Sequence, residues 1–253
     1  MRHPLVKMIN IHKWFGHVHA LKGVDFHVNR KEIVGLVGDN GAGKSTLVKI
    51  LVGAYKPDKG EIYFEGKKVN FKSPREARNM GIEIVYQDLA LIDLLSISRN
   101  FFLGREPLKK LGPFNFLDHD TMRKESIKIL KNLGLTRIQS PDQRVATLSG
   151  GEKQSVAIGR ALYFNAKLII LDEPTASLSV KETRKVLDHV LEAKDQGASV
   201  IFITHNIYHV YEVADRFVIL DHGRKIADVL KDKVDPEDII EIIRSGGKAI
   251  RKF

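Results

Sequence analysis

The chain reads Gly38-Asp39-Asn40-Gly41-Ala42-Gly43-Lys44-Ser45 at positions 38–45, and Thr46 follows. This segment fits the pattern G-x-x-x-x-G-K-[ST] at every fixed position. The apolar run Ile33–Val37 leads into it, and the amphipathic stretch Lys44–Val52 leads out. A strand, a glycine-rich loop and a helix in this order aim backbone N–H groups and the positive end of a helix at one anion. The segment therefore predicts an α/β fold with a loop that binds nucleotide phosphates.

A second segment carries two carboxylates that complement such a loop. Leu168–Leu171 is a continuous apolar run, as expected of a strand buried on both sheet faces, and Asp172 and Glu173 follow it. In this arrangement Lys44 would reach the β- and γ-phosphates, while Ser45 and Asp172 would bind Mg²⁺. Glu173 would polarise an attacking water. Together the two segments predict hydrolysis of a nucleoside triphosphate.

The rest of the chain alternates short apolar runs with longer amphipathic stretches, which indicates a parallel sheet covered by helices. The further predicted strands are Ile82–Tyr86, Val200–Thr204 and Phe217–Leu220, and the further predicted helices are Lys181–Lys194, Ile207–Ala214 and a helix from Ser149 towards Leu162. Residues 88–160 lack convincing strands and hold a helical stretch from Asp120 to Leu133, capped by Asp118 or Asp120. We therefore expect a mostly helical insert within the parallel sheet.

Composition excludes several classes of protein. The 253 residues include no cysteine, which excludes a disulfide framework, a thiolate zinc site and a cysteine nucleophile. No run of about 18 apolar residues is present, and no signal peptide is expected at the N-terminus. Lys and Arg outnumber Asp and Glu by 41 to 31. This surplus of ten positive charges suggests nucleic acid or an anionic membrane surface as a partner. Its largest share lies in residues 1–60, with the glycine-rich loop, so it is weak support for an anionic ligand.

A third segment, Leu148-Ser149-Gly150-Gly151-Glu152-Lys153-Gln154, precedes the predicted strand at Leu168. Its Ser-Gly-Gly at the start of a helix would offer a hydroxyl and free backbone N–H groups to an anion. An ordinary serine N-cap explains the same residues. Two anion-binding helix ends in one chain suggest that two chains share a nucleotide, which spacing alone does not establish.

In this order the three segments resemble the ATP-binding subunit of ABC transporters, from about Val6 to Val229. The resemblance implies the ABC ATPase architecture, a P-loop NTPase with a RecA-like parallel sheet core, a helical insert subdomain and an N-terminal antiparallel β part. It also implies a single domain over residues 1–253. The core would take residues 1–87 and 161–235, the helical subdomain residues 88–160 with the Leu148–Gln154 signature at its end, and a C-terminal helix or tail residues 236–253.

The resemblance also assigns roles to single residues. Phe15 would stack on the adenine of ATP, with Trp14 as the competing assignment. Gln87 would sense Mg²⁺ and the attacking water, and His205 would hydrogen-bond the γ-phosphate. The expected catalytic residues are Glu173, His205 and Gln87, the expected Mg²⁺ ligands are Ser45, Gln87 and Asp172, and the expected ATP contacts are Phe15, Gly38 to Thr46 and, from a second copy, Ser149, Gly150 and Gly151.

One position departs from the family pattern, because many members have Asp after Leu178 where this chain has Ser179. The departure, with Gly81–Gln87 and Asn100–Glu106, resembles a subgroup that imports monosaccharides such as ribose, xylose or fructose. Many ATPases of that subgroup are double-length, and this chain corresponds to one half. Two copies would therefore be needed.

The resemblance implies an ATPase that lies peripherally on the cytoplasmic face of the inner membrane. Two copies would close on two Mg·ATP and drive import of a small solute through a separate membrane permease, served indirectly by an extracytoplasmic solute-binding protein. The permease would contact the insert near Asp88–Arg105, where Leu89, Leu91, Ile92, Leu94 and Leu95 form either insert core or a docking groove.

Two other functions stay open from the sequence. A soluble ABC-type ATPase acting on nucleic acid would account for the basic charge, but the chain lacks a coiled-coil arm, a zinc module and a second ATPase half, so no nucleic acid partner is expected. A regulator that senses ATP without hydrolysing it is disfavoured by the presence of Glu173, Gln87 and His205.

Overall fold

The computed structural model describes residues 3–135 and 137–248, so residues 249–253 of the predicted tail lie outside the described residues. The strands are β1 (Val6–Phe15), β2 (Val18–Val28), β3 (Ile33–Val37), β4 (Lys59–Phe64), β5 (Lys67–Val69), β6 (Ile82–Val85), β7 (Leu108–Leu111), β8 (Phe114–Leu117), β9 (Leu168–Asp172), β10 (Ser199–Ile203), β11 (Arg216–Asp221) and β12 (Arg224–Leu230). The α-helices are α1 (Lys44–Leu51), α2 (Pro74–Asn79), α3 (Ile97–Phe102), α4 (His119–Asn132), α5 (Gly150–Tyr163), α6 (Val180–Asp195), α7 (Ile207–Val213) and α8 (Pro236–Arg244).

A six-stranded sheet in the order β12-β11-β3-β10-β9-β6 forms the centre of the molecule. Its strands run parallel except β12, which pairs antiparallel with β11 at one edge. Every residue of β3 and β10 is buried, because helices and a second sheet cover both faces. The predicted parallel core is thus confirmed, and the predicted strand ends differ from the observed ones by one residue at most.

Successive residues of the central strands point into two different cores, as the period of two in a strand requires. Leu36 and Ile201 pack into a core shared with the N-terminal sheet and α1, whereas Val37 and Phe202 pack into a core with α6, α7 and α8. The N-terminal sheet has the order β2-β1-β4-β5 and is antiparallel throughout. This arrangement confirms the expected antiparallel β part.

A two-stranded hairpin, β7–β8, lies in the region expected to contain no strands. All of its strand residues are exposed, so neither strand has the buried face that makes apolar and polar residues alternate regularly in a half-buried strand. The Gly112-Pro113 pair between the strands was the available signal, since such pairs mark turns. The insert is therefore helical with one added hairpin.

Helix α4 begins after Asp118, whose Oδ1 accepts a hydrogen bond from the Thr121 backbone N–H at 3.0 Å. Asp118 rather than Asp120 is therefore the N-cap.

The helices were also compared with the length and hydropathy of a membrane span. In residues 3–135 and 137–248, none combines the length and the apolar character that crossing a bilayer requires.

The apolar cluster after Gln87 divides between core and surface. Leu91 packs against the insert core formed by α3, α4 and the start of α5, and Leu89 packs against the core beside α6. Leu94 is 77% exposed and Ile92 is 44% exposed. The cluster is thus partly core, and Leu94 and Ile92 lie on the surface.

Candidate functional site

The glycine-rich loop joins β3 to α1 through three residues with positive φ, Gly38 (140°), Gly41 (83°) and Gly43 (105°). A Cβ atom built on Gly38 would lie 2.1 Å from the Leu220 carbonyl oxygen, so only glycine fits there. Gly43 is the N-cap of α1, and among the described residues no side chain caps this helix. The first N–H groups of α1 are therefore available to an anion.

A cavity of about 240 Å³ opens in front of this loop. Its lining consists of Ala20, the loop residues 40–46, Gln87, Asp172, Glu173 and Ile203. The structure therefore brings together Lys44, Ser45, Gln87, Asp172 and Glu173, which lie far apart in the sequence. The carboxyl ends of β3, β6 and β9 meet at this edge of the sheet, where ligands of open α/β folds bind.

The Lys44 ammonium group lies across the loop and is held by backbone carbonyls. Its Nζ donates hydrogen bonds to the oxygens of Gly38 at 2.6 Å and Asp39 at 2.9 Å. Burial lowers the pKa of Lys44, and the negative charges of Glu173, Asp172 and Asp39 oppose this shift. A positive charge is thus in place at the point where phosphate charge would arrive.

Asp172 ends strand β9 beside the same cavity. Burial raises the pKa of its carboxyl, and the neighbouring negative charge of Glu173 raises it further, while Lys49 and Lys44 lower it. A cation bound between Asp172 and the phosphates would relieve this repulsion.

Glu173 has both carboxylate oxygens occupied by donors from the end of β10. Oε2 accepts a hydrogen bond from Thr204 Oγ1 at 3.0 Å, and Oε1 accepts one from the His205 backbone N–H at 3.1 Å. The His205 ring lies 2.9 Å from Oε1 through Nδ1 and is 69% exposed, so it reaches from the carboxylate towards solvent. The backbone of Glu173 is left-handed (φ 52°), a strained conformation typical of functional positions.

Thr204 is a residue of this site that sequence reasoning missed. Its hydroxyl donates to Glu173 and accepts a hydrogen bond from the Asn206 backbone N–H at 3.0 Å. The side chain is buried. The sequence signal that could have identified Thr204 is its position at the end of a buried strand, next to His205.

The two candidate rings for adenine lie at the end of β1, outside the cavity in front of the loop. The Trp14 ring stacks on His19 with ring centroids 4.0 Å apart, and on His12 with ring centroids 5.4 Å apart. Phe15 contacts Tyr55 edge to face at 5.3 Å and is 43% exposed. Phe15 is therefore the more exposed of the two candidates, with Lys13 Nζ over its ring at 5.5 Å from the centroid.

Helix α5 begins with the predicted contact residues Ser149, Gly150 and Gly151. The fold does not bring them to the glycine-rich loop of the same chain. Ser149 caps α5 and forms a capping box with Glu152. Ser149 and Gly151 line a separate cavity of about 340 Å³ that also contains Ser179 and Glu182. The two predicted anion-binding segments therefore lie in two different cavities.

Ser179, the position that departs from the family pattern, is the N-cap of α6. Its hydroxyl donates to Glu182 Oε2 at 2.8 Å, and its backbone N–H donates to the same oxygen at 3.1 Å. Serine therefore supplies the helix cap at this position. Glu182 was also missed from the sequence, although the spacing Ser179-x-x-Glu182 is that of a capping box.

Residues 21–176 match the protein-family model described as ABC transporter. The chain is 50% identical to the xylose/arabinose import ATP-binding protein XylG of Sulfolobus acidocaldarius over 95% of this chain and 94% of that protein. It is 48% identical to the fructose import ATP-binding protein FrcA of Rhizobium meliloti, over 88% and 87% of the two chains. It is 39% identical to the ribose import ATP-binding protein RbsA of Caldanaerobacter subterraneus, but spans only 47% of that protein's length and 95% of its own.

Solved structures with a similar fold agree with these relatives. A nucleotide-free ATP-binding cassette from an ABC transporter superimposes with a TM-score of 0.82 at 29% identity, covering 98% of each chain. A cassette in a dimeric post-hydrolysis state, bound to ADP and Pi, superimposes with a TM-score of 0.75 at 29% identity, covering 89% of this chain and 98% of that one.

Proposed function

The chain belongs to the ABC transporter family of ATP-binding subunits, and on this premise we propose that it hydrolyses ATP to power import of a monosaccharide. The observation that carries the proposal is the cavity in which the glycine-rich loop, Gln87, Asp172 and Glu173 meet. This cavity would supply hydrogen-bond donors to the phosphates, oxygen ligands for a cation and a carboxylate that orients the attacking water. Phosphoryl transfer to water needs these three parts.

Two copies of the chain would form each complete site. Ser149 and Gly151 line a cavity separate from that of Lys44 and Glu173, so one chain alone does not surround a nucleotide with both. A second copy that presents its α5 N-terminus to the first copy's loop would complete the enclosure. The dimeric state of the ADP- and Pi-bound cassette supports the pairing of two copies.

The residues present fit Mg²⁺. Among the described residues no three His, Cys, Asp or Glu side chains form a cage for a metal. Mg²⁺ does not need one, because it is usually held by one or two carboxylates together with substrate phosphates and water. Asp172, the Ser45 hydroxyl and the Gln87 amide oxygen would hold it in the cavity that they line. When bound, it would neutralise developing charge on the phosphates.

Catalysis would depend mainly on positioning. Lys44 and the N–H groups at the start of α1 would hold the phosphates. Glu173, fixed by Thr204 and His205, would orient a water and accept its proton. His205 lies against the Glu173 carboxylate with its ring mostly exposed and would donate to the γ-phosphate.

The relatives support the choice of solute and of partners. Proteins named for import of xylose and arabinose, fructose and ribose are 39–50% identical to this chain, which favours a monosaccharide as the imported solute. Import requires a permease, here a separate integral membrane protein on whose cytoplasmic side the ATPase would lie. A solute-binding protein outside the membrane would deliver the sugar.

The experiment that tests this function is transport into or out of vesicles that contain the chain together with a candidate sugar permease. We expect uptake of a pentose or of fructose that requires ATP and the matching solute-binding protein, and that a disaccharide does not replace. Salt-dependent binding to duplex DNA, with ATPase activity indifferent to the permease, would instead support a nucleic-acid ATPase. ATP binding without turnover in the assembled complex would support a regulator.

A further inference from the structure

The Glu182 carboxylate bridges the N-termini of two helices. Its Oε1 accepts a hydrogen bond from the Gly151 backbone N–H of α5 at 3.2 Å, and its Oε2 accepts two from Ser179, the cap of α6. The Ser179 hydrogen bonds, with those of Gly151 and Ser149, hold the pKa of Glu182 below its usual value. An anion therefore already lies at the start of α5.

The contact between Glu182 and Gly151 is close. A Cβ atom built on Gly151 would lie 2.5 Å from Glu182 Cγ, so the side chain packs directly against the bare backbone of this glycine. The cavity of about 340 Å³ at this point is lined by three cations against two carboxylates, namely Arg137, Lys181 and Lys185 against Glu152 and Glu182. Its charge thus suits an anionic group larger than the carboxylate that now contacts Gly151.

We propose that Glu182 occupies, in the free subunit, the Gly151 N–H that the second copy's ATP would use, so that the γ-phosphate must displace its carboxylate before two copies close. This inference rests on the proposed function, in which Ser149 and Gly151 receive ATP held by a second copy. A backbone N–H carries a single hydrogen, and a carboxylate and a phosphate at the same donor repel each other. Glu182 therefore raises the ATP concentration at which the dimer closes.

The hydrogen bonds explain how the carboxylate can leave without unfolding α6. The two bonds from Ser179 use Oε2, whereas Gly151 uses Oε1. The cap of α6 can therefore persist when Oε1 releases Gly151. Lys181 and Lys185, on the same helix and lining the same cavity, lie near the released charge. The position that departs from the family pattern, Ser179, is in this way connected to the site at α5.

The test measures the ATP concentration for half-maximal dimerisation in a Glu173→Gln background, in which turnover does not consume the nucleotide. Glutamine at position 182 has one acceptor oxygen and no charge, so it cannot serve both Ser179 and Gly151. We expect Glu182→Gln to lower the required ATP concentration roughly three- to tenfold, the range expected for loss of one hydrogen bond of typical net strength. Glu192→Gln removes the same charge from the exposed end of α6 and should leave this concentration unchanged.

Glu182→Asp provides a second variant if the glutamine variant folds poorly. Aspartate serves as the third residue of a capping box in this chain, where Asp238 accepts from the Asp235 N–H at 2.9 Å. Its shorter side chain should keep the α6 cap but withdraw from Gly151, so the ATP requirement should again fall.

An unchanged or higher ATP requirement in both variants, with Glu173→Gln itself dimerising normally, would overturn the role of Glu182 and leave the proposed function standing. Failure of Glu173→Gln alone to dimerise with ATP would contradict the two-copy site and, with it, this inference. Melting curves of each variant establish that the comparison is made between folded proteins.

Discussion

In the proposed function, Glu173 is the residue on which the chemistry of the site depends. Its carboxylate is fixed by Thr204 on one oxygen and by the His205 backbone N–H on the other. Its left-handed backbone conformation carries a strain of about 1–3 kcal/mol that the surrounding structure must offset. Such fixing holds the carboxylate in place at a cavity that Glu173 lines, where in the proposed function a water would lie against the γ-phosphate.

Replacing Glu173 with Gln keeps the size of the side chain and one oxygen that accepts hydrogen bonds. It removes the carboxylate that would take the proton from water. We expect turnover to fall by roughly 10²- to 10⁴-fold, the usual contribution of a general base, while ATP affinity is retained. Phosphate release and binding of a fluorescent ATP analogue measure the two quantities. Wild-type turnover in this variant would show that another group activates the water.

Replacing Thr204 with Val removes the hydroxyl that donates to Glu173 Oε2 and that accepts from Asn206. We expect kcat to fall about tenfold with little change in KM for ATP, because orientation rather than binding is lost. Thr204→Ser keeps the hydroxyl and should restore most of the rate. An equal loss in the valine and serine variants would contradict the orienting role.

The residues of the site differ in how far the sequence predicts them. Lys44, Ser45, Asp172 and Glu173 follow from local patterns, because the loop and the strand end each carry a recognisable run of residues. The contact of Glu182 with Gly151 could not be predicted in this way. The contact joins residues 31 positions apart on two helices, and only tertiary packing brings them together.

At the scale of elements, the loop after β3 depends on the close approach of β11. Gly38→Ala would place a Cβ atom 2.1 Å from the Leu220 backbone oxygen, in a backbone conformation with φ 140° that alanine avoids. We expect the free energy of unfolding to fall by about 2–4 kcal/mol, through overpacking and strain.

Gly41→Ala is the matched control, because its φ is 83° and a Cβ atom there meets no atom within 4 Å. It should lower the free energy of unfolding by about 1 kcal/mol, from backbone strain alone. Urea unfolding of both variants gives the comparison. Equal effects in the two variants would mean that β11 moves aside at little cost.

The segment before α3 is held by a buried asparagine. Asn100 has no exposed surface, and its side chain accepts from the Ile92 N–H at 2.8 Å and donates to the carbonyls of Ile92 and Ser96, each at 3.0 Å. These bonds fix the backbone that presents the exposed Leu94 at the surface of the insert.

Asn100→Ala should lower the free energy of unfolding by about 2–4 kcal/mol, because it leaves buried backbone groups unpaired and opens a cavity. Asn115→Ala on the exposed hairpin is the control and should change it by less than about 0.5 kcal/mol. Chemical denaturation followed by circular dichroism measures both. A neutral effect at position 100 would show that water replaces the side chain.

The elements also show where sequence patterns lose their power. The strands β3, β9 and β10 are apolar except for Asp172 at the end of β9 and Ser199 at the start of β10, and the sequence predicts their limits within one residue. The hairpin β7–β8 was missed because its apolar residues face solvent on both sides, so its composition resembles neither a core strand nor an exposed one. The spacing of apolar residues along the sequence indicates which face of a strand is buried. A strand without a buried face therefore lacks this pattern.

At the scale of the whole molecule, one chain contains both segments of the proposed ATP site but keeps them apart. The phosphate loop opens into one cavity and the start of α5 into another. Both halves were predicted from sequence motifs, and their separation within one chain is visible only in the structure. Completion of the site by a second copy is therefore the central claim.

Light scattering of the Glu173→Gln variant tests this claim most directly. With Mg²⁺ and ATP we predict a particle of twice the 28.5 kDa mass of one chain, and with ADP a particle of that single mass. A mass of 28.5 kDa at saturating ATP, with bound nucleotide verified in the same sample, would contradict the account.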